Sequence, residues 1–482
     1  MTSRLYGRIL PIFFLIIPLL AYGQAEQDAP SPEAPMPPPY IHPETDYHWP
    51  INSGTYLSSS FGETRRAHFH AALDIKTWGR RGYRVEATRD GILHRVGVSP
   101  SGYGKVVYLK HEDGSYSVYS HLMDFAPKIR RLVDSLRLAH YAFVFDEYLE
   151  EYNMQVEKGE LIALSGATGA GPPHLHFELR TPSQKPFNPL LTNLSGKIKD
   201  TKPPVFKKLS IEPLSSDSRI EGDLDIKTYR AQRYGQNGFD YRFGPVDVAG
   251  KVGLGVDIYD RADEVYNAYA VYDLKLKRDD ELLFHSQVDS FSYSRTDQMF
   301  LDRVYPLLRT TGWGFQRMHV VDGNTLPFYH TLKNRGVLNL PAGRHELEIV
   351  AKDYYGNTST ALVLLDVEDV GEQKQEKELF HNAAGSIAYP SFRDAEPFAP
   401  SALNRWFWDN NWMALKMDKE EAERFSASLL GSSFSPPKKL LSYTNGRLVL
   451  ELNQHQSIVF THQAESSSNS NSEKQENQTA KP

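Results

Sequence analysis

The chain has 482 residues, a formal net charge of -6 at pH 7 and no cysteine. Its length predicts two or three domains, and 24% charged and 40% hydrophobic residues are globular values. The negative charge argues against nucleic-acid binding. The lack of cysteine excludes disulfides, a thiolate nucleophile and a lipid-modified cysteine, so any bound metal must use nitrogen and oxygen ligands.

Residues 1–23 have the pattern of a secretory signal peptide. Arg4 and Arg8 precede the apolar run Ile9–Ala21, which ends in residues small enough for cleavage. This run is short for a membrane span, which needs about 20 residues. We therefore expect an exported chain with no stable membrane span after cleavage, and an uncleaved anchor is the alternative.

The composition divides the remaining chain into five parts. The first part is rich in proline, alanine and glutamate. The second part has short alternating strands separated by glycine, and the third part, after Pro203-Pro204, has longer alternating runs. The prediction is mainly β: a linker at 24–48, an all-β domain at 49–199, an immunoglobulin-like β-sandwich at 200–370, a small β-rich region at 371–463 and a disordered tail at 464–482.

A helical pattern interrupts the all-β domain at about 125–152. Apolar residues recur at helical spacing from Phe125 to His140, and an aromatic and acidic segment, Phe143–Tyr152, follows. This insertion is either a wall or lid of a neighbouring cleft or a cover for an exposed sheet edge. In the β-sandwich the sequence shows no compact ligand cluster, and we expect its aromatic residues to be core, including Phe291, Tyr293, Trp313 and Phe315.

The chemistry is concentrated in Pro172–Leu179. Polar and apolar residues alternate here and predict a half-buried strand that places His174 and His176 on one face. Upstream, His70 and Asp74 stand four apart in an extended segment and also share a face. Two histidines and one carboxylate suit zinc and leave a fourth position open for water.

Two further histidines lie close to these motifs in the sequence. His121 follows a strand-like run in Tyr119–Leu122, next to an apolar residue. His68, two residues before His70, is a competing ligand, although its spacing of six to Asp74 is less suitable.

In this order the three motifs resemble the lysostaphin/LytM-type zinc peptidases, which cut peptidoglycan cross-links. That family has His-x-x-x-Asp, then a Tyr-x-His-Leu-like segment, then His-Leu-His-Phe-Glu. The resemblance covers roughly Phe61–Leu190 and implies a LytM-like β-sheet peptidase domain. Ala72 departs from the family's usual glycine without loss of a ligand. The other matching segments are Ala87–Gly91, Gly102–Gly104, Val156–Glu160 and Gly166–Gly169.

The resemblance implies a role for each motif residue. His70, Asp74 and His176 would hold one zinc ion per chain, which lowers the pKa of water towards about 7 and polarises a peptide carbonyl. His121 and His174 would be the unligated catalytic pair, jointly the base and the oxyanion donor, with the division of roles left open. We expect Glu178 to support a ligand histidine rather than to bind the metal itself.

The leading interpretation is an exported zinc metalloendopeptidase that hydrolyses peptide cross-links of bacterial peptidoglycan. The alternative is a non-catalytic LytM-domain regulator or scaffold that binds peptidoglycan or activates another wall hydrolase. A polysaccharide-binding sandwich with an incidental metal is a third class. We expect the periplasm or cell envelope, with secretion as second choice, and a protein partner for the β-sandwich is open.

Overall fold

The computed structural model describes residues 45–369, apart from 216, 236–237 and 313, and the short stretches 378–379, 412–416, 418–420, 441–444 and 447–451. The predicted signal peptide, the linker up to residue 44, Trp313 and the tail lie outside the described residues. We call residues 45–199 the first region and residues 200–369 the second region. The described chain is mainly β, as predicted.

The first region is built on one large sheet. Its central strand order is β1-β2-β10-β6-β5-β4-β7, with β3, β8, β9 and β11 attached. Its elements are β1 (Leu57–Ser59), β2 (Leu73–Lys76), β3 (Arg84–Glu86), β4 (Gly91–Val98), β5 (Lys105–Lys110), β6 (Tyr116–Phe125), α1 (Pro127–Ala139), β7 (Phe145–Tyr148), β8 (Gln155–Val156), β9 (Leu161–Ser165), β10 (His174–Arg180) and β11 (Pro186–Phe187), with short 3₁₀ turns at Glu150–Tyr152, Pro189–Leu191 and Asn193–Lys197.

Strand β10 confirms the alternation read from the sequence. Leu175, Phe177 and Leu179 are at most 1% exposed and form part of the core behind the strand. The strand lies in the middle of the sheet, hydrogen-bonded to β2 on one side and to β6 on the other. The motif segments that are far apart in sequence are therefore neighbours across the sheet.

The insertion forms helix α1 and strand β7. β7 pairs antiparallel with β4 and is the edge strand of the sheet. Three strands, β4, β5 and β6, separate it from β10. This placement favours the sheet-edge cover over the lid.

The second region contains two sheets around one hydrophobic core. One sheet has the order β14-β12-β17-β20 and the other β13-β16-β23-β22-β18-β19-β21, with β15 paired to β16. The immunoglobulin-like assignment stays a prediction. The elements are β12 (Val205–Pro213), β13 (Arg219–Ile220), β14 (Lys227–Arg230), β15 (Gln232–Tyr234), β16 (Asp240–Ala249), β17 (Val252–Tyr259), β18 (Asp273–Arg278), β19 (Glu281–Gln287), α2 (Met299–Asp302), α3 (Tyr305–Thr311), β20 (Gln316–Arg317), β21 (Tyr329–Leu332), β22 (Gly343–Lys352) and β23 (Thr358–Val367), with 3₁₀ turns at Tyr293–Gln298 and Lys333–Gly336.

A four-stranded sheet follows further along the chain, in the order β24-β26-β27-β25. Its strands are β24 (Glu378–Leu379), β25 (Trp412–Lys416), β26 (Leu441–Thr444) and β27 (Arg447–Glu451). Thr444 pairs with Arg447, so two residues connect β26 to β27. No helix among the described residues is long and apolar enough to cross a membrane.

The two regions share a second hydrophobic cluster, which we call the junction core. Phe69 of the first region packs against Phe291 and Phe328 of the second, with ring centroids 5.7 and 5.3 Å apart. Because Phe69 and Ala71 flank His70, the junction core holds the segment that carries this histidine. Its buried members are Phe61, Phe69, Ala71, Val288, Phe291, Met299, Leu326 and Phe328.

Candidate metal centre

Strand register brings Asp74 and His176 together. Asp74 in β2 is the direct partner of His176 in β10, so their side chains leave the same face of the sheet as cross-strand neighbours. His70 lies just before β2, and its backbone is fixed by hydrogen bonds between Gly62 N and His70 O and between His70 N and Glu63 O, both 2.8 Å. All three predicted ligands are buried, with exposures between 5 and 8%.

The ligand atoms of these three residues converge on one point. His70 Nε2 lies 3.1 Å from Asp74 Oδ1, His176 Nδ1 lies 3.0 Å from the same oxygen, and the two nitrogens are 3.3 Å apart. In a tetrahedral zinc site with bonds of 2.0–2.1 Å, neighbouring ligand atoms are about 3.3 Å apart. The triangle therefore has the size that such a metal ion requires.

The hydrogen bonds on the far side of each ring fix the tautomers. His70 Nδ1–H donates to the carbonyl of Ser60 at 2.8 Å, and His176 Nε2–H donates to the Glu178 carboxylate at 2.8 Å. In the neutral rings, His70 Nε2 and His176 Nδ1 both present lone pairs to the Asp74 oxygen. Without a metal, a proton on His176 Nδ1 occupies the space between these atoms, and a metal ion would replace this proton, so the donor set fits a metal ion.

A second group, formed by His121, His174 and His176, has ligand atoms within 4.8 Å of one another. This group lacks a carboxylate, and His176 Nδ1 within it already lies 3.0 Å from Asp74 in the first triangle. The competing His68 is exposed and belongs to neither group of candidate ligands among the described residues. The geometry therefore favours His70, Asp74 and His176.

His121 and His174 lie side by side next to this triangle. Their ring centroids are 4.6 Å apart, and His174 Nε2 is 3.5 Å from Asp74 Oδ1. His121 Nδ1–H donates to the Thr168 carbonyl at 2.9 Å, and His174 Nδ1–H donates to the Pro172 carbonyl at 2.6 Å. In both rings Nε2 is left available to accept or hold a proton at the site.

The Glu178 carboxylate anchors His176 and is itself saturated with hydrogen bonds. It is 0% exposed; Oε1 also accepts from the Tyr103 hydroxyl at 2.5 Å, and Oε2 accepts from Arg180 Nε at 2.7 Å and from the Tyr293 hydroxyl at 2.6 Å. Tyr293 belongs to the second region. Glu178 thus holds His176, a predicted ligand, and the second region contributes to that support.

Charge coupling sets the pKa values in the centre. Burial alone would lower the pKa of His176, yet Asp74 and Glu178 raise it to about 9. Burial would raise the pKa of Asp74, but His70 and His176 hold it well below its usual range. Burial and then the neighbouring His176 and His174 lower the pKa of His121 to about 4, so this ring is neutral at pH 7.

Sequence reasoning missed three residues of the support network. Arg180 stands two residues beyond Glu178 on β10, so continuing the alternation by one step would have found it. Tyr103 lies in the Gly102–Gly104 motif, to which the sequence analysis assigned no role in the site. Tyr293 was predicted to be core, but it is 39% exposed with its hydroxyl turned to Glu178, and no local pattern indicates this.

No family model matches the chain. It is 30% identical over 112 residues to the lipoprotein NlpD of Yersinia enterocolitica, covering 23% of this chain and 91% of that protein. It is 28% identical over 148 residues to the murein hydrolase activator NlpD of Salmonella dublin, covering 31% of each chain. It is 29% identical over 144 residues to the DD-carboxypeptidase/endopeptidase Mpg of Neisseria meningitidis serogroup B, covering 28% of this chain and 26% of that protein.

These likenesses identify the class of protein. The chain belongs to the LytM-type family. It spans only 31% of the length of the Salmonella relative. Among the relatives named above, one is an activator of murein hydrolases and another is a carboxypeptidase/endopeptidase.

Proposed function

We propose that this chain is an exported zinc metalloendopeptidase that hydrolyses peptide cross-links of bacterial peptidoglycan. The observation that carries the proposal is the triangle of ligand atoms from His70, Asp74 and His176 beside an unligated histidine pair. A regulator without catalysis has no need for both parts, whereas a metallopeptidase needs a Lewis acid and a proton acceptor next to it. The likeness to a DD-carboxypeptidase/endopeptidase supports the same reaction class.

In this proposal His70, Asp74 and His176 hold one zinc ion per chain. When bound, the ion supplies a Lewis acid that acidifies water and polarises the scissile carbonyl. Asp74 offsets one of its two positive charges. Glu178 keeps His176 in the tautomer that presents Nδ1 to the site.

His121 and His174 handle protons and developing charge. Each ring donates Nδ1–H to a backbone carbonyl, which fixes its orientation and leaves Nε2 for the reaction. A neutral Nε2 accepts a proton from water, and a protonated Nε2 donates to the oxyanion or to the leaving amine. The two rings are alike in these contacts, so we assign them the two roles jointly.

The proposed location is the periplasm or the cell envelope, with secretion into the medium as second choice. The substrate is a peptide of the wall, and the second region, with its proposed immunoglobulin-like fold, also offers a surface for a protein partner. The likeness to a lipoprotein and to a murein hydrolase activator supports an envelope role.

A second candidate function is activation of another wall hydrolase. The likeness to a murein hydrolase activator favours it. In this case the chain binds its partner or peptidoglycan and cuts no bond itself. The intact ligand set weighs against it, because a pure activator gains nothing from a complete metal centre.

Metal content and cleavage of purified peptidoglycan, measured on the same preparation, test the proposal. We expect one zinc per chain in the wild type and cleavage of cross-links. Asp74→Ala should lose the metal and the activity. His121→Ala should keep the metal and lose cleavage by about a hundredfold or more, the usual contribution of a general acid or base.

Two other outcomes would contradict the proposal, the first in its reaction and the second in its residue roles. A wild-type protein that binds zinc and cuts no wall preparation, yet stimulates a second hydrolase, supports the activator. A protein in which His121→Ala and wild type cleave equally would remove the histidine pair from the chemistry. Folding of each variant is checked by its thermal unfolding transition.

A further inference from the structure

Three carboxylates that are far apart in the sequence meet outside the metal centre. Asp200 lies in the connection between the regions, Asp260 directly follows β17, and Asp353 directly follows β22. One carboxylate oxygen from each lies within 4.8 Å of the other two. The sequence analysis found no ligand cluster in the second region, because these residues are separated by 60 and 93 positions.

Asp260 and Asp353 are buried and Asp200 is half-buried, and the nearby charges of Lys202 and Arg261 only partly offset the three carboxylates. Asp260 is 5% and Asp353 3% exposed, and Asp260 Oδ1 is buried with no hydrogen-bond partner among the described residues. Within the same described part of the chain, no basic side chain forms an ion pair with any of the three; Lys202 pairs with Asp263 instead. A buried carboxylate that has one oxygen without a donor and stands beside two other carboxylates is costly unless a cation joins them or a proton neutralises one of them.

Hydrogen-bond donors hold two of the carboxylates, Asp353 and Asp200, in place. Asn357 donates its backbone N–H to Asp353 Oδ1 at 2.8 Å and its side-chain amide to Asp353 Oδ2 at 2.6 Å, and the same amide reaches the Asp200 carbonyl at 3.1 Å. Lys202 N–H donates to Asp200 Oδ1 at 3.0 Å. The backbone N–H groups of Tyr355 and Gly356 also donate to the Asp353 carboxylate. A carboxylate accepts about four hydrogen bonds, so Asp200 keeps lone pairs for a further partner, whereas those of Asp353 are shared with its donors.

We propose that Asp200, Asp260 and Asp353 form a binding site for a hard divalent cation, Ca²⁺. Ca²⁺ takes about 6–8 oxygen ligands in a flexible geometry, and three carboxylates that can each supply one or two oxygens suit it. Mg²⁺ demands a near-ideal octahedron and usually keeps several waters, so a group of three protein carboxylates suits it less. Zinc prefers a set that includes nitrogen or sulfur, and the group contains neither.

The surroundings have room for the rest of the coordination shell. Asp200 and Asp260 line a cavity together with four tyrosines, Tyr269, Tyr272, Tyr354 and Tyr355. Three carboxylates supply up to six oxygens, and water in the cavity supplies the others that Ca²⁺ needs. The bound ion would tie the connecting segment to the ends of two strands and so fasten the junction of the two regions. This site does not depend on the proposed peptidase function.

Calcium binding to the full-length chain tests the proposal. The protein is stripped with a chelator, reloaded with zinc and titrated with CaCl₂ or MgCl₂ by calorimetry, and its thermal unfolding is recorded with each metal. The same series is run on Asp260→Asn and Asp353→Asn. Asp263→Asn is the matched control, because Asp263 lies in the same loop but outside the cluster and bonds Thr201 instead.

We expect one Ca²⁺ per chain, a higher unfolding temperature with Ca²⁺, and weaker binding of Mg²⁺. Losing one charged ligand in Asp260→Asn or Asp353→Asn should weaken Ca²⁺ binding by about tenfold or more. Asp263→Asn should bind like the wild type. Asp74→Ala, which removes the zinc ligand, should also keep the Ca²⁺ effect, since the two sites are separate.

Two results would overturn the site. One is a wild type that shows neither heat nor a stability change with Ca²⁺. The other is a Ca²⁺ response that survives in both Asp260→Asn and Asp353→Asn. If the wild type does not respond to Ca²⁺ and Asp260→Asn is more stable than the wild type, the carboxylates share a proton and no metal binds there.

Discussion

The two regions contribute to the metal centre in different ways. The first region presents its chemical groups on one face of one sheet, where β2, β6 and β10 are neighbours. The second region contacts the surroundings of the same centre: the Tyr293 hydroxyl bonds Glu178, and aromatic rings pack around Phe69. The first region carries the proposed metal ligands and the histidine pair, and the second region helps to hold His70 and His176 in position.

This difference bears on how the centre achieves its geometry. Ligand atoms within about half an ångström of their working positions need support from packed and hydrogen-bonded neighbours. Here that support crosses the boundary between the regions at both ligand histidines: Ser60 and the junction core for His70, and Glu178 with Tyr293 for His176. We therefore expect changes in the second region to alter metal binding.

The largest expected effect comes from the junction core. Phe291 is 0% exposed, and Phe291→Ala should lower the free energy of unfolding by about 3–5 kcal/mol. Because Phe69 beside His70 loses one of its two aromatic partners, the variant should also bind zinc more weakly. Phe284→Ala is the matched control: this residue is equally buried, but in the core of the second region alone. If both variants have the same zinc affinity, the junction core does not support metal binding in the way proposed.

A smaller effect, confined to the first region, depends on pH. His111 is 3% exposed, donates to the Asp90 carbonyl and accepts from the Ser117 hydroxyl, and burial lowers its pKa from 6.5 to about 4. Between these values the unfolded chain binds a proton that the folded chain does not. Stability is therefore complete above pH 6.5 and falls as the pH drops, by about 2 kcal/mol at pH 5.

Chemical denaturation at pH 7 and pH 5 measures this loss. His111→Gln, which does not titrate, is the control: its loss between the two pH values should be smaller than that of the wild type. The same loss in both proteins would assign the pH dependence to other groups.

Removing one hydroxyl from the second region should have a moderate effect on the metal. In Tyr293→Phe, Glu178 loses one of its four donors, and zinc affinity should fall by about tenfold, as for other groups that support metal ligands. Competition with a chelating dye gives the dissociation constant. Tyr103→Phe removes a donor from within the first region and should give a similar loss, whereas Tyr305→Phe, similarly exposed but outside this network, should change nothing.

The smallest expected effect is in the insertion. Tyr141 is 98% exposed, so Tyr141→Ser should change the free energy of unfolding by less than about 0.5 kcal/mol. If the insertion is only a cover for the sheet edge, cleavage of peptidoglycan should also be unchanged. A clear loss of cleavage with unchanged stability would restore the lid hypothesis.

Much of the first region could be predicted because its information is local. The alternation around His174 and His176 gives the strand, the face and the buried residues behind it. The pairing of Asp74 with His176 across the sheet could not be read from either segment, because register depends on contacts between distant parts of the chain.

The contributions of the second region escaped prediction for the same reason. Tyr293 stands among other aromatic residues, and only its position beside β10 distinguishes it. Asp200, Asp260 and Asp353 meet because two strand ends and a connecting segment are adjacent in space. Such contacts between residues that are far apart in the chain leave no pattern in a single sequence.

One backbone feature of the site sets its stability against its activity. His121 has φ +61°, a left-handed conformation that costs a non-glycine residue about 1–2 kcal/mol. Glycine would relieve this cost, but it would also remove a buried imidazole and its hydrogen bond to the Thr168 carbonyl. The strained backbone is therefore retained together with the ring to which we assign a part in catalysis.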